Sequence, residues 1–244
     1  MEFWPAVQLN GSPNYCMGSH PYAHPAARLN GKAISLQVIV LASRKGGVGK
    51  TSLSSHLAVE AERVGAGRIA LADTDPQGGL AAWYNARAAQ TPIFVDVSKG
   101  LAAAVKACRA GGIDFLFVDT PPSVTETISS VIREADLVVV PVRPSPNDLR
   151  AVAGTVALVT AAKKPMVFVV SQVTPRARIT SEAAIALSQH GTVAPAMLAS
   201  RVDFATSMTD GRTAGELDPS SRSAAEVADL WRYLSDRLEG LRHG

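Results

Sequence analysis

Cysteine is almost missing from this chain: Cys16 and Cys108 are the only two in 244 residues. They are too far apart to form a CxxC pair, supply no disulfide framework, and are too few for a four-thiolate iron–sulfur cluster within one chain. No apolar run reaches the roughly 18 residues that a membrane-spanning helix needs. The best candidate, 151–170, is interrupted by Lys163, Lys164 and Pro165. An excess of one charge sign is also lacking. Twenty-four basic against 21 acidic residues leave a formal net charge of +3, which permits contact with nucleic acid without requiring it. Charged residues make up 18% of the chain and hydrophobic ones 47%, which excludes a disordered tail protein or a collagen-like fibre and allows a sizeable core. A chain of this length builds one domain, or two small ones.

Residues 1–35 read as a flexible extension. Pro5, Pro13, Pro21 and Pro25, with Gly11, Gly18, Asn10, Asn14 and Asn30 among them, leave no helical or strand period intact. The segment opens with Glu2 and never becomes continuously apolar, unlike a secretory signal. His20 and His24 have no third ligand beside them and read as solvated side chains.

Residues 36–244 alternate between two patterns. Short apolar runs at 36–42, 68–73, 93–97, 115–119, 137–141 and 166–170 predict strands. Between and after them, 51–64, 80–89, 101–109, 148–162, 181–190 and 223–238 predict helices. Continuously apolar strands separated by helices imply βαβ units. The expected fold is α/β and doubly wound, a mostly parallel sheet with helices on both faces. Ligands of such sheets lie at the carboxyl ends of the strands, where Asp73, Asp119 and the glycine cluster after Ala42 all fall.

That cluster reads Ser43-Arg-Lys-Gly-Gly-Val-Gly-Lys-Thr51 and sits between a strand and a helix. Glycines let backbone N–H groups close round phosphate oxygens, while the following helix turns its positive end toward the anion. Lys50 would reach the β- and γ-phosphates, and the Thr51 hydroxyl would ligate Mg²⁺. The common pattern G-x-x-x-x-G-K-[ST] fits at Gly49-Lys50-Thr51, but Arg44 holds the place of its first glycine.

Lys-Gly-Gly-Val-Gly-Lys-Thr resembles the deviant Walker A motif of the ParA/MinD family of ATPases. Further motifs follow in that family's order. Asp73-Thr-Asp-Pro-Gln-Gly78 resembles its D-x-D-P-Q-G segment. Phe115-Leu-Phe-Val-Asp119 resembles Walker B, with Thr120-Pro-Pro122 like the switch after it, and 136–146 resembles the next strand and loop. The resemblance runs from about Val38 to Leu238, dense to residue 148 and thin beyond. No helix-turn-helix precedes it, as in the small plasmid-partition class.

The resemblance implies a P-loop ATPase fold with ATP and Mg²⁺ as cofactors. Nucleotide contacts would come from Lys45, Gly46, Gly47, Val48, Gly49, Lys50, Thr51 and Ser52, with Arg143 and Pro144 as loop neighbours of the base. Metal contacts would come from Thr51, from Asp119 through water, and from Asp75. Lys45 would cross an ATP-sandwich homodimer to the partner's nucleotide, joining Lys50 and Asp75 in hydrolysis. A cation near charge developing on the γ-phosphate lowers the barrier.

The implied function is DNA partition. The ATP dimer would bind non-specific DNA, hydrolysis being stimulated by a ParB-like, cargo-bound adapter, so the protein would be cytoplasmic and associated with the nucleoid. Arg201 and Arg222 are the expected DNA contacts, although residues 143–244 hold twelve basic and ten acidic residues, a net of only +2. Three alternatives stand beside it: ParA-like positioning of a protein cargo, a MinD-like membrane-associated ATPase, and an amide-forming ligase of the same superfamily. Against a membrane, Leu230, Leu234, Leu238 and Leu241 form a stripe, but acidic residues interleave with the arginines around it, so the stripe reads as core packing.

Overall fold

A computed structural model describes residues 28–29, 32–33, 35–122 and 125–243. Most of the expected N-terminal extension, including Cys16, His20 and His24, lies outside the described residues. Within it, β1 (Arg28–Leu29) and β2 (Lys32–Ala33) pair antiparallel.

The rest builds one seven-stranded sheet. Its strands are β3 (Gln37–Leu41), β4 (Ile69–Asp73), β5 (Ile93–Phe94), β6 (Phe115–Asp119), β7 (Leu137–Val142), β8 (Met166–Val170) and β9 (Thr192–Val193). They lie in the order β5-β4-β6-β3-β7-β8-β9, and every pairing is parallel. The helices are α1 (Lys50–Arg63), α2 (Gly79–Ala86), α3 (Leu101–Ala110), α4 (Thr125–Arg133), α5 (Pro146–Ala161), α6 (Arg178–Ser188), α7 (Val202–Ser207), α8 (Ala214–Leu217) and α9 (Arg222–His243).

The continuous apolar runs follow from burial on both faces. In β3, Val38 and Val40 enter a core shared with α3, α4, α5 and α6, while Ile39 and Leu41 enter a second core under α1, α2 and α9. The leucine stripe of α9 belongs to that second core. Leu230, Leu234 and Leu238 are buried, and Leu241 alone is exposed. No helix among the described residues is long and apolar enough to cross a membrane.

Some boundaries differ from the sequence-based expectation for local reasons. α4 corresponds to no expected helix, because its apolar residues Ile128, Val131 and Ile132 make only a short stripe, yet all three are buried. α2 stops at Ala86 because Arg87 turns to extended backbone and reaches Gly211 and Glu216. α5 starts early, at Pro146, since Ser145 caps the Asp148 N–H and proline suits a first turn.

Register brings the strand ends level. Leu41 pairs with Asp119, and Asp119 with Asp73. The chain moves from β3 to one side of the sheet, returns through β6, then crosses to β7 on the other. The carboxyl end of β3 therefore opens at the switch point, where sheets of this kind form their crevice.

Candidate functional site

The loop from β3 to α1 has the form its glycines predict. Gly47 and Gly49 take φ of 73° and 93°, which side-chain-bearing residues avoid. Gly49 precedes α1, whose first turn holds Lys50, Thr51 and Ser52. Among the described residues, the N–H groups of Gly47, Val48 and Gly49 donate to no other group. Free N–H groups, a loop rich in positive φ and a helix N-terminus form an anion cradle.

Lys50 is buried beneath this loop, with Nζ 3.5 Å from the Lys45 carbonyl. Burial lowers its pKa, against the pull of Asp119 and then Asp75. Asp119 is buried and accepts the Thr51 hydroxyl at 2.5 Å. Burial pushes Asp119 up to about 7, opposed first by the Thr51 hydrogen bond and assisted by nearby Asp73. A buried carboxylate beside a hydroxyl at a phosphate loop offers the hard oxygen donors that Mg²⁺ prefers.

Asp73 serves the scaffold. Its carboxylate accepts the N–H groups of Asp75 at 2.9 Å and of Leu80 and Ala81 at 3.0 Å, fixing the start of α2. Asp75 is half-buried, takes the Gln77 N–H at 3.0 Å, and lies near enough to Lys50 to act on its charge. Lys45 is half-exposed, and Gly46 abuts the loop after β6 at Pro122.

A cavity of about 290 Å³ opens beside the phosphate loop. Val48, Gly49, Ser52 and Leu53 line one side; Ser171 and Gln172 line the end of β8; Leu198, Arg201, Phe204 and Met208 form the far wall. His56 reaches it from α1. Its Nδ1 lies 2.7 Å from the Ser52 carbonyl, and its Nε2 accepts the Ala214 N–H at 3.1 Å. A carbonyl can only accept and an amide N–H can only donate, so these partners select neutral imidazole protonated at Nδ1. Burial lowers its pKa to about 4. Its ring meets Phe204 edge-on, with centroids 5.1 Å apart.

Arg143 and Pro144 are absent from the cavity wall. Arg143 instead turns back onto Asp148 at 3.1 Å, so the loop after β7 closes on its own helix. Arg201, expected on a DNA-binding face, lines the cavity and is bound to Glu226 at 2.6 Å. Arg222 is exposed at the start of α9. Sequence reasoning did not find His56, Phe204 or Met208. His56 alone left a trace, as a histidine one turn past the phosphate loop.

Residues 39–213 match the model of the CobQ/CobB/MinD/ParA nucleotide binding domain, and the chain belongs to that family. Its deviant phosphate loop places it with the ParA/MinD proteins. It is 30% identical over 206 residues to the "Maintenance of carboxysome distribution protein A" of Halothiobacillus neapolitanus, covering 80% of this chain and 93% of that protein. It is 32% identical over 149 residues to the "Chromosome-partitioning ATPase Soj" of Thermus thermophilus, covering 49% of this chain and 59% of that one. The fold matches the septum site-determining protein MinD of Pyrococcus horikoshii, solved with Mg-ADP. That match has a TM-score of 0.68 and 16% identity, and covers 84% of this chain and 98% of the other.

Proposed function

We propose that this chain is an ATP- and Mg²⁺-dependent positioning ATPase. Its ATP-bound dimer holds non-specific DNA, and hydrolysis, stimulated by a cargo-bound adapter, releases it. The carrying observation is the convergence at three level strand ends of the ParA/MinD loop, half-exposed Lys45, Asp75 and the Thr51–Asp119 pair, beside a cavity of about 290 Å³. That volume is near the lower end for small-molecule sites and suits a nucleoside whose phosphates lie in the loop.

Thr51 and Asp119 would hold Mg²⁺, Asp119 through water, and the metal supplies charge neutralisation on the phosphate oxygens. Lys50 holds the phosphates from below. Lys45 of each protomer reaches the nucleotide of the other, which makes dimerisation depend on ATP. Asp75 orients the attacking water. Positioning and electrostatics supply most of the catalysis, so no strong general base is needed.

DNA contact falls to exposed basic residues such as Arg222. Arg201 is committed to Glu226 and drops out. For the cargo, the partition reading calls for a ParB-like adapter on a DNA molecule. A protein-assembly cargo is supported by the Halothiobacillus match, which spans 93% of that protein against 59% for Soj.

The test is retention on non-specific duplex DNA with ATP, with ADP and without nucleotide, across a salt series. Retention with ATP alone, falling as salt rises and weakened by Arg222→Ala, is expected. Protein that binds ATP yet is never retained on DNA would remove the DNA-based mechanism for either cargo.

A further inference from the structure

The phosphate loop turns two of its carbonyls toward the end of β8. Gln172 Nε2 donates to the Gly47 carbonyl at 2.9 Å, and the Ser171 hydroxyl donates to the Val48 carbonyl at 3.0 Å. The donors are neighbours in sequence, and so are the acceptors.

A planar trans peptide points its carbonyl and its N–H in opposite directions. The Gly47 carbonyl shares a plane with the Val48 N–H, and the Val48 carbonyl with the Gly49 N–H. Holding both carbonyls toward β8 therefore turns both N–H groups away from β8, into the concave side of the loop. Those two N–H groups have no other acceptor among the described residues, so they stay available to an anion.

The backbone at the clamp is unusual in a way that serves it. Consecutive side chains of an extended strand point to opposite faces, so 171 and 172 would not ordinarily reach the same loop. Gln172 takes φ of 53°, the left-handed region that a glutamine seldom enters. This breaks the alternation. Its neighbours are fixed, because the Ser171 N–H bonds to Val142 and the Val173 N–H to Leu198. The turn is thus imposed from both sides, and strain held in this manner marks positions where geometry matters to function.

We propose that Ser171 and Gln172 are positioning residues for the phosphate-binding N–H groups of Val48 and Gly49. They act on the phosphates through the loop and do not read the base. The proposal rests on the ATP-binding reading above.

The test compares ADP with inorganic pyrophosphate, each with Mg²⁺, by titration calorimetry on the wild type and on Ser171→Ala, Ser171→Thr and Gln172→Asn. Asparagine tolerates left-handed backbone but is one methylene too short for the clamp, so its melting temperature should be unchanged or higher. Ser171→Ala and Gln172→Asn should each weaken both probes by the same factor, about threefold to tenfold, with Ser171→Thr restoring binding. KM for ATP should rise while kcat changes by less than about twofold, as for uniform binding.

Unchanged affinity for both probes would overturn the proposal. So would a loss for ADP with pyrophosphate unaffected, which would make these residues readers of the nucleoside. A wild type that binds neither probe would overturn the ATP reading itself and this proposal with it, a result distinct from the other two.

Discussion

The two ends of the candidate site are built from different materials. The phosphate end comes from short contiguous segments, 43–52, 73–78 and 119, and works through backbone N–H groups, carboxylates and one buried lysine. The cavity end gathers 198–208 and His56 from distant parts of the chain, and offers a mostly apolar wall. Anions demand particular groups at particular spacings, whereas an apolar wall accepts many side chains of suitable size. The same contrast orders the ways of breaking the site.

Removing Lys50 should do most. It is the buried cation under the loop, and Lys50→Ala should weaken ADP binding by about a hundredfold, the factor that ~3 kcal/mol of lost charge pairing implies. A fluorescent nucleotide titration measures it, and a loss below tenfold would shift the weight of binding to the cavity.

At the other end, Phe204→Ala removes a half-buried ring that also touches His56. Nucleotide binding should fall about tenfold, from ~1–2 kcal/mol of apolar contact. If Lys50→Ala and Phe204→Ala proved equal in the same titration, the division between a charge-reading end and a shape-reading end would fail.

The subtlest difference lies in the sign of a pH slope. Asp119 has its pKa raised by burial from 3.8 to about 7, so the folded protein binds that proton more tightly than the unfolded chain. Its contribution to the stability of metal-free protein therefore falls as pH rises from about 4 to 7. His56 has its pKa lowered by burial from 6.5 to about 4, so the folded protein binds that proton more weakly. Its contribution is present above pH 6.5 and is lost as pH falls toward 4. Melting temperatures across pH 4–7 should show Asp119→Asn diverging from wild type in one direction and His56→Asn in the other. Parallel profiles for all three proteins would contradict the opposed slopes.

Legibility in the sequence divides along the same line. The strands at 115–119 and 166–170 were readable to the residue, because a strand buried on both faces needs an unbroken apolar run and is bounded by turns. Asp119 and Asp73 were both placed at strand ends, and the resemblance to Walker B singled out Asp119 as the metal contact. Only the structure shows Asp73 engaged by three N–H groups while Asp119 faces Thr51. α7 and α8, six and four residues long, are too short to carry a helical period, and they hold Phe204 and the Ala214 N–H that donates to His56. Arg201 illustrates the limit for charge. The resemblance implies a DNA-facing cation there, but its guanidinium is held by Glu226, 25 positions away on α9.

By itself the sequence determined the α/β class, six of the seven sheet strands and six of the nine described helices in their order, and the glycine pattern of the phosphate loop. These depend on local backbone requirements, on glycine where φ is positive and on apolar runs where both faces are covered. Which strands lie side by side, how Ser171 and Gln172 come to grip the loop, and which residues wall the cavity were decided by the tertiary structure alone. Those contacts join residues up to 158 positions apart, from His56 to Ala214, and packing between distant segments leaves no periodic mark on the chain.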